Sequence, residues 1–270
     1  MTAVILGLAV GIVMGLTGTG GGILAVPLLI LGLHLSVPEA APIGLLAAGL
    51  AAGVGAALGL RQGIVRYKAA ALMASTGMLM APMGLWLSRQ LNVQLLSAIF
   101  AALLFVLAFK AFNQAKSQQL EHANFSNELP CVQDNIKGRF IWSIRCARAL
   151  SLFGAIAGFL SGLLGVGGGF ILVPALTRFT TLSTHAVITT SLAVIALIAF
   201  SGVASSIVAG TVQWHYAIPF TLGAMSGMLI GRALSGRLKS HQLEKIFALI
   251  VVAVAIGMLS KVAIFILGNS

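Results

Sequence analysis

The sequence predicts an all-α integral membrane protein made of two homologous halves. Each half would hold four hydrophobic segments, about eight in total, with the first segment broken or re-entrant at a glycine-rich motif. Three observations carry this. First, 59% of the 270 residues are hydrophobic and 8% are charged, and the mean hydropathy is +1.06. A soluble domain carries about 25% charged residues, so these few charges cannot cover a water-facing surface and the solvent of this chain is lipid. Second, Gly15-Leu-Thr-Gly-Thr-Gly-Gly-Gly-Ile-Leu-Ala-Val-Pro27 returns 147 residues later as Gly162-Leu-Leu-Gly-Val-Gly-Gly-Gly-Phe-Ile-Leu-Val-Pro174, with eight of thirteen positions identical. Gly7, Gly11 and Gly15 fall on Gly154, Gly158 and Gly162 at the same offset, and Gly63 falls on Gly210. A repeat of this length sets the architecture before any local reading. Third, the remaining apolar runs have span length and are separated by short polar loops.

The elements follow in order. Residues 2–33 form an apolar run too long for one straight crossing of about 20 residues. Its middle, 15–22, is the part least favourable to helix, so two half-helices should flank an unwound turn. Pro27 belongs to the early turns of the second half-helix, where a missing N–H costs least. A polar loop with Pro38 and Glu39 leads to a span at 40–60, rich in small residues (Gly44, Gly49, Gly53, Gly55, Gly59) that let helices approach closely in lipid. A basic loop (Arg61, Arg66, Lys68) precedes a span at 69–87, and the last span of the first half is 93–112.

This gives a first repeat at 1–112, a polar linker at 113–148 and a second repeat at 149–270. The linker is too short and too poor in apolar residues to bury a core. The second half repeats the plan: a broken glycine segment at 150–176, then spans at 186–210, 217–234 and 246–267. Gln213, Trp214 and His215 read as a loop, with Trp214 suited to an interface belt.

Charge separates two topologies. If all eight segments cross, Lys and Arg divide 10 to 6 between the two sides. If each glycine segment re-enters on the side it came from, the halves are inverted and the division is 14 to 2, with Arg89 and Lys261 on the minor side. The positive-inside rule favours the inverted arrangement, with a cytoplasmic linker. The net charge of +11 then reflects cytoplasmic loops facing anionic headgroups, and no nucleic-acid partner is expected. The apolar N-terminus runs directly into the repeat, so no separate signal peptide is expected.

Function must come from the glycines and the few hydroxyls. Backbone in hydrocarbon has to bond internally or face protein or a water-filled cavity. A glycine turn followed by a helix start offers backbone N–H groups and about half a positive charge, a natural anion site. Candidate substrate-binding residues are therefore Thr17, Gly18, Thr19, Gly20, Gly21 and Gly22 in the first motif, and Gly165, Gly167, Gly168 and Gly169 in the second. The second motif has Leu164 and Val166 where the first has Thr17 and Thr19, so the pocket should be chemically lopsided. The competing account is that the glycines serve only close helix packing.

Neither copy completes GxGxxG and no P-loop is present. No HExxH, GxSxG or paired intramembrane aspartates occur, so an enzyme is not expected, and no metal or cofactor either. No carboxylate lies within a span, which argues against an acidic proton relay. Cys131 and Cys146, the two cysteines, fall in the linker without CxxC spacing and read as free thiols on a cytoplasmic loop.

The duplicated motif resembles the sulfite exporter family of TauE/SafE type. Thr189-Thr190-Ser191, the Gly227–Gly231 region and Ser235-Gly-Arg237 resemble that family's pattern as well, while the first half departs from it at Ile43-Gly44-Leu45. The resemblance covers both halves but not the linker. It implies an inner-membrane, multi-pass transporter that exports a small anionic substrate (sulfite, organosulfonates or related sulfur compounds) bound near the midplane between the two broken helices. It adds Thr189, Thr190 and Ser191 as substrate-binding candidates. Partners are then the anion and the lipid bilayer, and the many glycine faces are compatible with a homodimer. The alternative from another class is a non-transporting membrane subunit of a larger complex.

Overall fold

The computed structural model describes residues 1–17, 20–117, 144–180 and 182–235, together with 252, 254 and 257. The elements are helices. α1 (Thr2–Thr17) leads into the first glycine motif, where a short 3-10 turn (Gly20–Leu24) precedes α2 (Ala25–Leu33). α3 (Val37–Arg61), α4 (Tyr67–Gln90) and α5 (Val93–Ser117) follow. After the linker come α6 (Ile144–Leu164), α7 (Gly169–Phe179), α8 (Thr184–Val208) and α9 (Trp214–Ser235). Among the described residues, α3, α4, α6, α8 and α9 are five helices long and apolar enough to cross a membrane; α1, α2 and the start of α5 are shorter apolar helices. The expected last span, 246–267, lies almost wholly outside the described residues.

The repeat offset reappears in the helix bounds. α1 and α6 end 147 residues apart, at Thr17 and Leu164, and α3 and α8 are both 25 residues long and start 147 apart. The start of each of these two spans is chemically marked. Ser36 and Glu39 form a capping box at α3, where the Ser36 N–H and hydroxyl donate to Glu39 Oε2 at 2.8 and 2.6 Å. Ser183 occupies the matching position at α8 and accepts from the Ala186 N–H. Such caps satisfy donors that the first turn leaves open.

Helix directions follow from the neighbours of the glycines. A Cβ on Gly32, at the end of α2, would press on the Leu6 side chain early in α1, so α2 runs back along α1. The pair 147 residues on repeats this: the rings of Phe153 of α6 and Phe179 of α7 pack tilted at 37° with centroids 5.1 Å apart. α1 lies parallel to α9, with Gly7, Gly11 and Gly15 against the backbone of Phe220, Ala224 and Met228. α6 lies parallel to α4, with Gly154, Gly158 and Gly162 against Met73, Gly77 and Ala81. At each of these six glycines a Cβ would come within 3.0 Å of backbone. Here the packing account of the glycines is right: they bring main chains together so that Cα–H groups meet carbonyls.

α3 and α8 cross antiparallel at the centre, through the contacts Gly59–Thr189, Gly55–Leu192, Gly49–Ala199 and Leu45–Gly202. α3 is parallel to α9, tied at one end by Gln213 Nε2 donating to Glu39 Oε1 at 3.0 Å and towards the other by Arg232 Nη1 donating to the Gly55 carbonyl at 2.9 Å. So α1, α3 and α9 point one way, and α4, α6 and α8 the other. Large apolar side chains such as Leu79, Trp86, Phe105, Phe200 and Leu222 are exposed on the outside, as a lipid-facing surface requires.

Two local expectations change. Cys146 is not on a loop: it lies in α6, 1% exposed, and is disulfide-bonded rather than a free thiol. It belongs to the apolar core cluster that also holds Ala69, Met73 and Leu150, because α6 starts at Ile144, inside the stretch read as linker. Cys131 lies outside the described residues. Trp214 and His215 form the first turn of α9 instead of a loop. Arg232 falls within the expected span 217–234, in the last turn of α9, and reaches across to α3.

Candidate functional site

The two glycine motifs come together in the middle of the molecule. Gly22 is buried, and a Cβ built on it would lie 3.2 Å from the Val166 carbonyl of the second motif and 3.6 Å from Ala48 Cβ. A Cβ on Gly167 would lie 3.4 Å from the same Ala48 methyl and 3.2 Å from Ile195 Cγ2. Ala48 and Ile195 are separated by the repeat offset and fall next to the midpoints of α3 and α8. The junction therefore sits half-way along both central helices.

The second motif is a left-handed turn. Gly165, Gly167 and Gly168 have φ of 74°, 73° and 69°, values that only glycine adopts without cost. The Gly165 N–H closes α6 by donating to the Ser161 carbonyl at 2.8 Å, and Gly168 is the N-cap of α7. Space is as restrictive as φ at Gly165, where a Cβ would meet the Ala41 backbone within 3.0 Å. Gly169 opens α7, and all of 165–169 are buried. In the first motif, Thr17 ends α1 and Gly20, Gly21 and Gly22 lie in the 3-10 turn. Gly18 and Thr19 lie outside the described residues. The second half-helix of each motif thus begins at the junction with its N-terminus towards it, the polarity that favours negative charge.

The hydroxyl triplet divides. Thr189 donates to the His185 and Ala186 carbonyls of its own helix at 2.9 and 3.2 Å and packs on Gly59, near the far end of α3. Thr190 accepts the Arg66 N–H at 3.2 Å and so ties α8 to the start of α4. Both hydroxyls are occupied by structure, and about 9 Å of helix rise separates Thr189 from Ile195. Ser191 differs. It is fully buried, its hydroxyl has no partner, and it sits one turn from Ile195 on the same face.

One residue beside the junction escaped the sequence reading. Ser161, on α6 directly before the turn, is fully buried with an unpartnered hydroxyl; a lone serine in an apolar run gives no signal. Arg232 follows Gly231 near the end of α9, and Gly55 has no side chain to hold it off α3. Among the described residues, no group of three or more His, Cys, Asp or Glu could hold a metal ion.

Comparison with known proteins gives the family. The sulfite exporter TauE/SafE family matches residues 3–258. The chain is 25% identical to the "Probable membrane transporter protein YunE" of Bacillus subtilis (strain 168), across 93% of this chain and 94% of that one. It is 29% identical to a "Probable membrane transporter protein" of Xylella fastidiosa (strain Temecula1 / ATCC 700964), across 92% and 90%. It is 27% identical to the "Probable membrane transporter protein YjnA" of B. subtilis, across 93% and 96%. No solved structure matches. The match spans both glycine motifs and every described helix, and the chain belongs to the sulfite exporter TauE/SafE family of membrane transporters, not enzymes.

Proposed function

We propose that the protein exports a small anion, most simply sulfite, an organosulfonate or a related sulfur compound, bound where the two glycine turns meet. The observation that carries this is the approach of Gly22 and the Val166–Gly168 turn to one methyl, Ala48, midway along the central helices. Two helix N-termini are directed there, and one small anion between them would be stabilised by both.

The topology supports the reading. α1 and α2, like α6 and α7, form hairpins that come back towards the end they left. The spans after them, α3 and α8, are antiparallel although they occupy corresponding positions in the repeat. Re-entrant hairpins in two inverted repeats are a construction that secondary transporters use to keep a site at the bilayer midplane while opening it to either side. Unwound backbone belongs at that depth only when it is buried in protein or lines a water-filled cavity. The protein would be a multi-pass protein of the inner membrane. An inside-negative potential already drives an anion outward, by about 2.3 kcal/mol per charge per 100 mV, so export needs no carboxylate-built ion site.

Flux through proteoliposomes of the purified protein tests this, with sulfite, thiosulfate, sulfate, sulfoacetate and a carboxylate control. Saturable movement of a sulfur anion is expected. A folded protein that moves none of them would refute the proposal.

A further inference from the structure

Buried hydroxyls in this protein mostly spend their hydrogen bond on the fold. Ser88 donates to the Leu85 carbonyl at 2.7 Å, Ser206 to Gly202 at 2.9 Å and Thr189 to His185 at 2.9 Å; Thr180 donates to Leu176, and Thr190 accepts from Arg66. Back-bonding to the preceding turn is the default for a hydroxyl on a helix in lipid. Among the described residues three buried hydroxyls depart from it: Ser161, Ser191 and Thr221 have no hydrogen-bond partner. Thr221 lies on α9, which packs on α1 and α3. The other two lie on different helices, each within one helical turn of a residue that touches the second glycine turn. Ser161 is four residues beyond Ala157, whose carbonyl lies under Gly168, and its own carbonyl takes the Gly165 N–H. Ser191 is four residues before Ile195, which packs on Gly167. Both side chains are 0% exposed.

An unpartnered hydroxyl in such a place costs stability, because it has given up water for nothing. Two at one turn, where a helix also starts, form a donor set without an acceptor. We infer that Ser161 and Ser191 donate their O–H groups to the oxygens of a bound oxyanion at the second turn, and that this pair sets the choice among anions. The inference rests on the anion-transport reading and deepens it. It selects a ligand with at least two acceptor oxygens on one small head, as in sulfite or a sulfonate, over a halide. It also makes recognition one-sided: the residues 147 positions earlier, Met14 and Gly44, carry no donor.

The test compares Ser161→Ala and Ser191→Ala with wild type in proteoliposomes, using sulfite and chloride as probes, and in detergent by thermal unfolding with and without sulfite. Each variant should raise KM for sulfite roughly tenfold, equivalent to about 1.4 kcal/mol. Any chloride movement should stay as it was, and the thermal midpoint without ligand should hold or rise, since an unsatisfied buried group has been removed. The rise in midpoint that sulfite gives the wild type should shrink. An unchanged KM in either variant, beside a transporting wild type, overturns the role of that hydroxyl. A lowered midpoint with unchanged KM would make it structural. If the wild type neither moves nor is stabilised by any oxyanion, the anion reading itself falls, and the donor pair with it.

Discussion

Gly167 and Gly158 lie in the same repeat but should fail in different ways when changed to alanine. At Gly158 the helix is regular and the obstacle is space: a Cβ would meet the Gly77 carbonyl, Cα and C, all backbone, within 3.0 Å. Backbone cannot rotate aside, so α6 and α4 must separate. Overpacking of this kind costs about 1–3 kcal/mol, to which the lost Cα–H···O contacts add about 0.5–1 kcal/mol each. At Gly167 the nearest atoms are side-chain methyls at 3.2 and 3.4 Å, which need yield only slightly, and the obstacle is the φ of 73°. A left-handed alanine costs about 1–2 kcal/mol, enough to lower the population of the formed turn about 5- to 30-fold if the turn can relax. The assay is paired: membrane accumulation and thermal midpoint in detergent for the fold, and anion flux per inserted molecule for the site. Gly158→Ala should lose accumulation and midpoint, with flux per molecule following them. Gly167→Ala should insert and accumulate near normally while flux falls about tenfold. Normal flux in Gly167→Ala, or a collapse of its accumulation matching that of Gly158→Ala, would refute the division of the glycines into seam and site.

Other perturbations have separate readouts. Arg232→Met keeps an apolar stem but loses the donor to the Gly55 carbonyl, and should lower the thermal midpoint by at least the equivalent of one hydrogen bond, about 1 kcal/mol. Glu39→Ala removes the acceptor shared by the Ser36 cap and Gln213, and should cost about 1 kcal/mol, again read as a midpoint. Cys146 in denatured protein should resist alkylation until a reductant is added, and immediate labelling would contradict its disulfide. The same experiment bears on orientation. Disulfides persist in oxidising compartments, whereas the 14-to-2 charge count puts residues 113–148 in the cytoplasm, so a bridge found intact in cells would reverse that assignment.

What the sequence made legible was hydropathy and length. The all-helical class and the membrane-length spans among the described residues could be read because the apolar runs are long and nearly free of charge. Span ends were misplaced by two to six residues wherever a polar first turn is helical: α3 begins at Val37 beneath the Ser36–Glu39 box, and α6 begins at Ile144 among charges. Hydropathy sees polarity there, while the backbone sees a cap. The pairing of α1 with α9 and of α6 with α4 could not be read, since several hydrophobic helices carry glycine faces and nothing local says which faces meet. Ser161 was invisible for the same reason. Its importance lies in having no partner, a property of the packed structure and not of the residue. Thr189 and Thr190, visible as a polar patch, turn out to bond to the protein itself.

The most direct measurement places a thiol at the junction. Ala48→Cys, with Cys131 and Cys146 replaced by serine, puts one sulfur between Gly22 and Gly167. Its rate of modification by a small charged methanethiosulfonate in proteoliposomes should be measurable, because the site must open to water during transport. A transported sulfonate should slow that rate in proportion to its occupancy. A sulfonate that crosses the membrane while leaving the rate unchanged would show that the anion takes another path and that the glycine turns do not hold it.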